Sequence, residues 1–151
     1  MSEQKNPNLV EINGLKKWFA VQKSVLDQIL AGQQTFVRAV DGVSFNIRRG
    51  EAFGLAGESG SGKTTIGRLA IGMEKPTEGT VMFDGVNLGK LPSEPLRKMR
   101  RRMQVIYQDP MASLNPRMTL GDPVMQGLKI HYPQNKAEHR DITIAMLEKV
   151  G

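Results

Sequence analysis

Apolar positions along this chain come first in short strand-length runs and later at helical spacing. Leu9 to Leu15 reads as a first strand, and Ala39 to Ile47 contains a second. Arg48-Arg49-Gly50 follows as a turn, and Ala52-Phe53-Gly54-Leu55-Ala56 has the unbroken apolar pattern of a buried strand. From Lys63 to Met73 the period changes. Ile66, Leu69, Ala70 and Met73 fall on one face of a predicted helix. Pro76-Thr77-Glu78-Gly79 is a turn, Thr80 to Phe83 a strand, and Asp84-Gly85 a hairpin signal. Leu96 to Met103 predicts a short basic helix and Gln104 to Tyr107 another strand. A loop runs through Ser113-Leu114-Asn115-Pro116, and two helical stretches follow, the last from Asp141 to Val150.

An insert separates the first two strands, from about Ala20 to Phe36. Ser24-Val25-Leu26-Asp27 has the form of a capping box. Val25, Leu26, Ile29 and Leu30 would line one face of a short helix stopping at Gly32. A surface loop with a short helix is the preferred reading. A membrane-surface contact is disfavoured, because the polar face carries little positive charge.

The strand, loop and helix around residue 60 give the pattern its chemistry. Gly57-Glu58-Ser59-Gly60-Ser61-Gly62-Lys63-Thr64-Thr65 fits G-x-x-x-x-G-K-[ST], between a predicted strand and a predicted helix. Glycines at 57, 60 and 62 permit backbone angles closed to other residues, so that loop N–H groups can turn inward around phosphate oxygens at a helix N-terminus. Lys63 is expected to reach the β- and γ-phosphates as a point charge and Thr64 to ligate Mg²⁺ through its hydroxyl. Thr65 adds a neighbouring donor. A ligand-free glycine-serine linker is the competing reading, and the flanking elements argue against it.

Composition narrows the field. The chain has 151 residues and net charge +6, with a pI of about 9.8. That length suits one compact domain and is short for a complete P-loop enzyme. There is no cysteine, which excludes disulfides and thiolate metal sites. His131 and His139 lie in a polar stretch and read as solvated residues, not metal ligands. The first eight residues have no apolar core, and no run approaches the roughly 18 apolar residues of a membrane span. The expectation is a protein kept in the cytoplasm and attached to a membrane only through a partner.

Hydrolysis needs a second carboxylate for Mg²⁺ and a group to position water. Asp84 ends an apolar strand but is better explained as a turn residue, and Asp109 stands before Pro110 in a loop. Neither fits. The basic run Arg97, Lys98, Arg100, Arg101 and Arg102 could suggest nucleic-acid binding, but Tyr107 is the only aromatic nearby for base stacking. A solvated helix face is the preferred reading.

The order of these features resembles the nucleotide-binding subunit of an ATP-binding-cassette transporter. Leu15-Lys16-Lys17-Trp18-Phe19 is similar to the family's aromatic loop, which stacks on adenine, with Phe19 in the aromatic position. Ala39-Val40-Asp41-Gly42-Val43-Ser44-Phe45, followed by Arg49-Gly50-Glu51, is similar to the strand pair before the phosphate loop. Val105-Ile106-Tyr107-Gln108-Asp109-Pro110 resembles the Q-loop, whose glutamine contacts Mg²⁺ and the attacking water. The stretch from Tyr107 to Thr119, with Ser-Leu-Asn-Pro inside it, resembles the dipeptide/oligopeptide importer branch, as does the insert after Phe19.

The resemblance implies an α/β fold. It would comprise a partial P-loop NTPase core, an antiparallel β subdomain and the start of a helical subdomain. The implied segments are 1–50 (mainly β, with the insert at about 20–36), 51–75 (phosphate loop and helix), 76–110 (hairpin to Q-loop) and 111–151 (first helices). ATP and Mg²⁺ are the implied cofactors. Gln108 is the implied catalytic residue and, with Thr64, a metal contact; Phe19 and 57–65 are the nucleotide contacts. The implied partners are transmembrane permease subunits, a second ATP-binding subunit and an extracytoplasmic solute-binding protein, at the cytoplasmic face of the membrane. The family's signature sequence, Walker B aspartate, catalytic glutamate and switch histidine are not among these residues. The expectation is therefore the N-terminal half of such a subunit, binding ATP without turning it over by itself. A cassette ATPase acting on nucleic acid is the other alternative, and a small-molecule kinase a weaker one.

Overall fold

The computed structural model describes residues 6–21, 35–109 and 114–151. They divide into two units, Met1–Leu96 and Arg97–Gly151. The predicted capping box and helix of the insert, and Ser113 of the Ser-Leu-Asn-Pro stretch, lie outside the described residues.

The first unit is built on an antiparallel sheet of order β2-β1-β3-β4. Its strands are β1 (Asn8–Ala20), β2 (Phe36–Arg48), β3 (Glu78–Phe83) and β4 (Val86–Asn87). Ile12 sits at the centre of the ladder, opposite Phe45 on one side and Val81 on the other. Helix α1 (Lys63–Ala70) packs on β1 and β2. Ile66 and Leu69 are buried from the helix, and Ile12, Leu15, Val40, Val81, Phe83 and Leu88 complete the core. Val81 and Phe83 alternate on β3, Ile66 and Leu69 stand i, i+3 on the helix, and an irregularity in the ladder between Ile12 and Leu15 puts both on the buried face of β1.

Local chemistry explains where the elements stop. Gly72 ends α1 with φ +66. Its N–H reaches the Leu69 carbonyl at 3.0 Å while the Met73 N–H reaches that of Arg68 at 2.9 Å, a Schellman pair. This closes the helix short of the predicted Met73, which is half exposed. Asp84 and Gly85 both have positive φ, 51° and 76°. They join Phe83 to Val86 in a two-residue hairpin whose twist matches its strands. Arg49 pairs with Asp84, so the turn is tied to the end of β2.

Two predicted strands do not form. Residues 52–56 are irregular and belong to no ladder, and every one of them is exposed. Phe53 is stacked on Phe45 of β2, with ring centroids 4.7 Å apart. Residues 104–107 are likewise irregular, and Ile106 is 93% exposed. The apolar pattern of each run is real. A strand, however, also needs a neighbour to take its N–H and C=O groups, and none of the described residues supplies one.

In the second unit, α3 (Gly121–His131) and α4 (His139–Glu148) pack on each other. Helix α2 (Ser93–Arg100) bridges the division in sequence. It begins three residues before the predicted start, because Ser93-Glu94-Pro95 suits a first turn that needs no amide from Pro95. His139 corrects an expectation. It is 3% exposed, not solvated, and its Nε2 lies 2.9 Å from the Tyr132 carbonyl. The Thr143 hydroxyl donates to the His139 carbonyl at 2.6 Å. The basic run is also partly engaged: Arg97 donates to the Ile130 carbonyl at 2.9 Å, and Arg101 lies over the Tyr132 ring at 4.7 Å.

Candidate functional site: the loop before the first helix

The chain reaches α1 through Gly57–Gly62 without a strand or helix of its own. One turn is closed inside this loop, from the Ser61 N–H to the Glu58 carbonyl at 3.2 Å. Gly62 then stands at the helix N-cap with φ +91. A Cβ at this position would collide with the carbonyl oxygen of Ala39 on β2. Glycine is thus required twice, for its backbone angle and for the close approach. The sheet edge supports the loop through that contact.

Helix α1 has no side-chain cap at Gly62 and no acidic residue in its first turn. The positive end of its dipole and its first N–H groups therefore face the loop without a protein anion to balance them. Lys63 adds a full charge at the same place. Its ammonium donates to the carbonyls of Gly57 at 2.7 Å and Glu58 at 2.6 Å, with the Ser61 hydroxyl at 3.4 Å. The lysine is bent back over the loop that precedes it. An uncapped helix end with an ammonium beside it is the kind of place where anions bind.

Thr64 is exposed and Thr65 half-buried in the first turn of α1. A hydroxyl is a hard oxygen donor of the kind Mg²⁺ takes when it binds through one or two protein oxygens, water and substrate phosphates. No group of three or more His, Cys, Asp or Glu among the described residues could hold a metal. Thr64 is thus one oxygen donor of that kind, at the start of α1. Asp84 is occupied as a turn residue paired with Arg49.

Phe19 lies near the end of β1, 40% exposed and opposite Val37 on β2. Val37 is two residues from Ala39, about 7 Å along the strand from the contact with Gly62. Alternation settles which ring faces which way. Lys17 shares a face with Phe19, and its ammonium lies 4.9 Å from the Phe19 centroid. Lys16 shares the other face with Trp18, at 5.7 Å. The same Lys17 is held by Glu74 and the Lys75 carbonyl, in the segment just after α1. Gln108 lies in the second unit, exposed and outside any strand. Sequence reading passed over Ala39 as a support for the loop, since a backbone carbonyl leaves no mark on residue type.

The sequence model of the ABC transporter family matches residues 40–151. The chain belongs to the ABC transporter family. A Brucella ovis protein, named as a candidate peptide import ATP-binding protein, is 44% identical over 142 residues, covering 94% of this chain and 41% of that protein. The oligopeptide transport ATP-binding protein AppF of Bacillus subtilis is 37% identical over 152 residues, covering all of this chain and 45% of AppF. The chain thus spans less than half the length of these relatives. Among solved structures, the ATP-binding cassette MJ0796, a dimer in a post-hydrolysis state bound to ADP and Pi, matches with a TM-score of 0.67 at 26% identity. That match covers 92% of this chain and 56% of MJ0796. The α/β class expected from the sequence agrees with these cassette neighbours, with the antiparallel sheet as its β part.

Proposed function

We propose that this chain is the nucleotide-binding part of an ATPase subunit that couples ATP binding and hydrolysis to import of a small solute, of the di- or oligopeptide class. The observation that carries the proposal is the loop of residues 57–62. It is seated on Ala39 by a glycine that cannot be replaced and delivers Lys63 to an uncapped helix end. The peptide class is supported by the names of the relatives and by the residues around Gln108.

In this reading loop amides and Lys63 bind the β- and γ-phosphates, and Lys63 exchanges a loop carbonyl for a phosphate oxygen. Thr64 holds Mg²⁺, which offsets the charge of those phosphates. Phe19 stacks on the base, and Gln108 contacts Mg²⁺ and orients water. The partners would be a second ATP-binding subunit, membrane-spanning permease subunits and a solute-binding protein outside the membrane. No helix among the described residues is long and apolar enough to cross a membrane, in keeping with a peripheral place on the cytoplasmic face.

Titration with MgATP tests the core of the proposal. Lys63→Ala should weaken binding at least about tenfold, the effect of losing a charge-assisted bond to phosphate. Unchanged affinity would remove the assigned role of the loop.

A second reading concerns turnover. Asp84, the carboxylate that ends an apolar strand, is held in a turn by Arg49, which favours binding without hydrolysis by these residues alone. Steady phosphate release from the pure chain, lost in Lys63→Ala, would overturn that reading.

A further inference from the structure

Lys17 is the more buried of two lysines on β1 that stand over an aromatic ring. Lys17 is a strand residue whose side chain is only 15% exposed. Its ammonium makes an ion pair with Glu74 at 3.1 Å and donates to the Lys75 carbonyl at 2.9 Å. Both anchors follow the Schellman turn that ends α1. The same ammonium stands 4.9 Å from the centroid of the Phe19 ring. Two anchors therefore hold it over a strand-end ring that is 40% exposed.

We propose that Lys17 is a positioning residue for base recognition: braced by Glu74, it covers one face of Phe19 and presents the opposite face to a purine. This rests on reading Phe19 as the base platform. The physical argument has two parts. A cation over one face of an aromatic ring is attracted by its quadrupole and limits rotation of the ring about its side-chain bonds. Stacking on a ring already held in place loses less conformational freedom than stacking on a mobile one. The brace also links the two ends of the nucleotide. The loop binds phosphate at the start of α1, and the segment just beyond its end orients the ring for the base.

The proposal separates the base from the phosphates, and the test does the same. Affinities of the full chain for ATP and for inorganic tripolyphosphate, which has no base, are measured with Lys17→Ala, Lys17→Arg, Glu74→Gln and Phe19→Ala. Lys17→Ala and Phe19→Ala should each weaken ATP about threefold to tenfold and leave tripolyphosphate unchanged. Glu74→Gln, which removes the ion pair but leaves the lysine and its bond to the Lys75 carbonyl, should give a smaller loss of the same base-dependent kind. Lys17→Arg, which keeps a cation over the ring, should restore much of the ATP affinity.

Equal weakening of ATP and tripolyphosphate by Lys17→Ala would show a general structural or electrostatic role and overturn the proposal. An effect of Phe19→Ala with none of Lys17→Ala or Glu74→Gln would overturn the positioning role while leaving the platform intact. No effect of Phe19→Ala on ATP would remove the platform itself, and the positioning role with it.

Discussion

Gly62 rests directly on the carbonyl of Ala39, at a distance that leaves no room for a side chain. Two segments far apart in sequence, the phosphate loop and β2, are thereby held in register at one backbone contact. The approach of a loop to a sheet edge is usually negotiated by side chains, which can adjust. Here it is backbone on backbone, so only glycine fits at the contact.

Gly62→Ala should therefore harm both folding and binding. The added methyl forces the loop off Ala39 and also occupies a backbone conformation that costs an L-residue about 1–2 kcal/mol. Thermal unfolding should move down by several degrees, and MgATP affinity should fall at least about tenfold. Gly60→Ala is the control. It has φ +81 but nothing within 4 Å of the added carbon, so it should show only the backbone penalty. Equal effects of the two substitutions would mean that the Ala39 contact does not matter.

Asp84 is the residue that a search for a second metal carboxylate finds first, and its surroundings give it another job. It has φ 51° in the hairpin turn and pairs with Arg49. Asparagine tolerates the same backbone region, so Asp84→Asn removes the charge and keeps the turn. Both side chains are partly exposed, 32% and 22%, so solvent screening limits the loss to about 1 kcal/mol or less. Chemical denaturation should detect that loss, while the Mg²⁺ dependence of ATP affinity stays the same. A changed Mg²⁺ dependence would make Asp84 a metal contact after all.

Asp122 should report the first turn of α3 through its titration. The Thr119 N–H and hydroxyl both donate to its Oδ2 at 2.8 Å. The hydroxyl bond first, and the backbone bond second, hold the carboxyl below the ordinary aspartate range. A lowered folded pKa means that this contribution is present above the unfolded value, near 3.9, and is lost as the pH falls through the folded value. Carbon-detected NMR titration should show the Asp122 pKa rising in Thr119→Ala, with the amides of residues 119–122 losing protection at acid pH in the wild type. An unmoved pKa in Thr119→Ala would mean that the hydroxyl bond is not formed in solution.

The parts of the fold read correctly from sequence are those governed by neighbours in the chain. Asp84-Gly85 declared a two-residue hairpin because few residues accept positive φ twice in succession. Ile66 and Leu69 marked the buried face of α1 because helical spacing places them together. The loop leading from Gly57 into α1 was legible for the same reason, since its glycines and the helix start are consecutive in the chain.

Its seat was not legible, nor was the brace on Phe19. Ala39 acts through a carbonyl that every residue has, and Lys17 meets Glu74 only because β1 and the segment after α1 come together in space. His139 looked solvated from its polar neighbours and is buried, because its ring folds back to the Tyr132 carbonyl between two helices.

The runs at 52–56 and 104–107 draw the line most clearly. By itself the sequence determined that they are apolar, and it determined the turn glycines, the helix face and the phosphate loop, all short-range consequences of backbone sterics and side-chain spacing. Whether an apolar run becomes a buried strand was decided only by tertiary structure, because hydrogen-bonded partners and burial come from other segments. Neither run has that partner among the described residues, and Phe53 and Ile106 remain exposed.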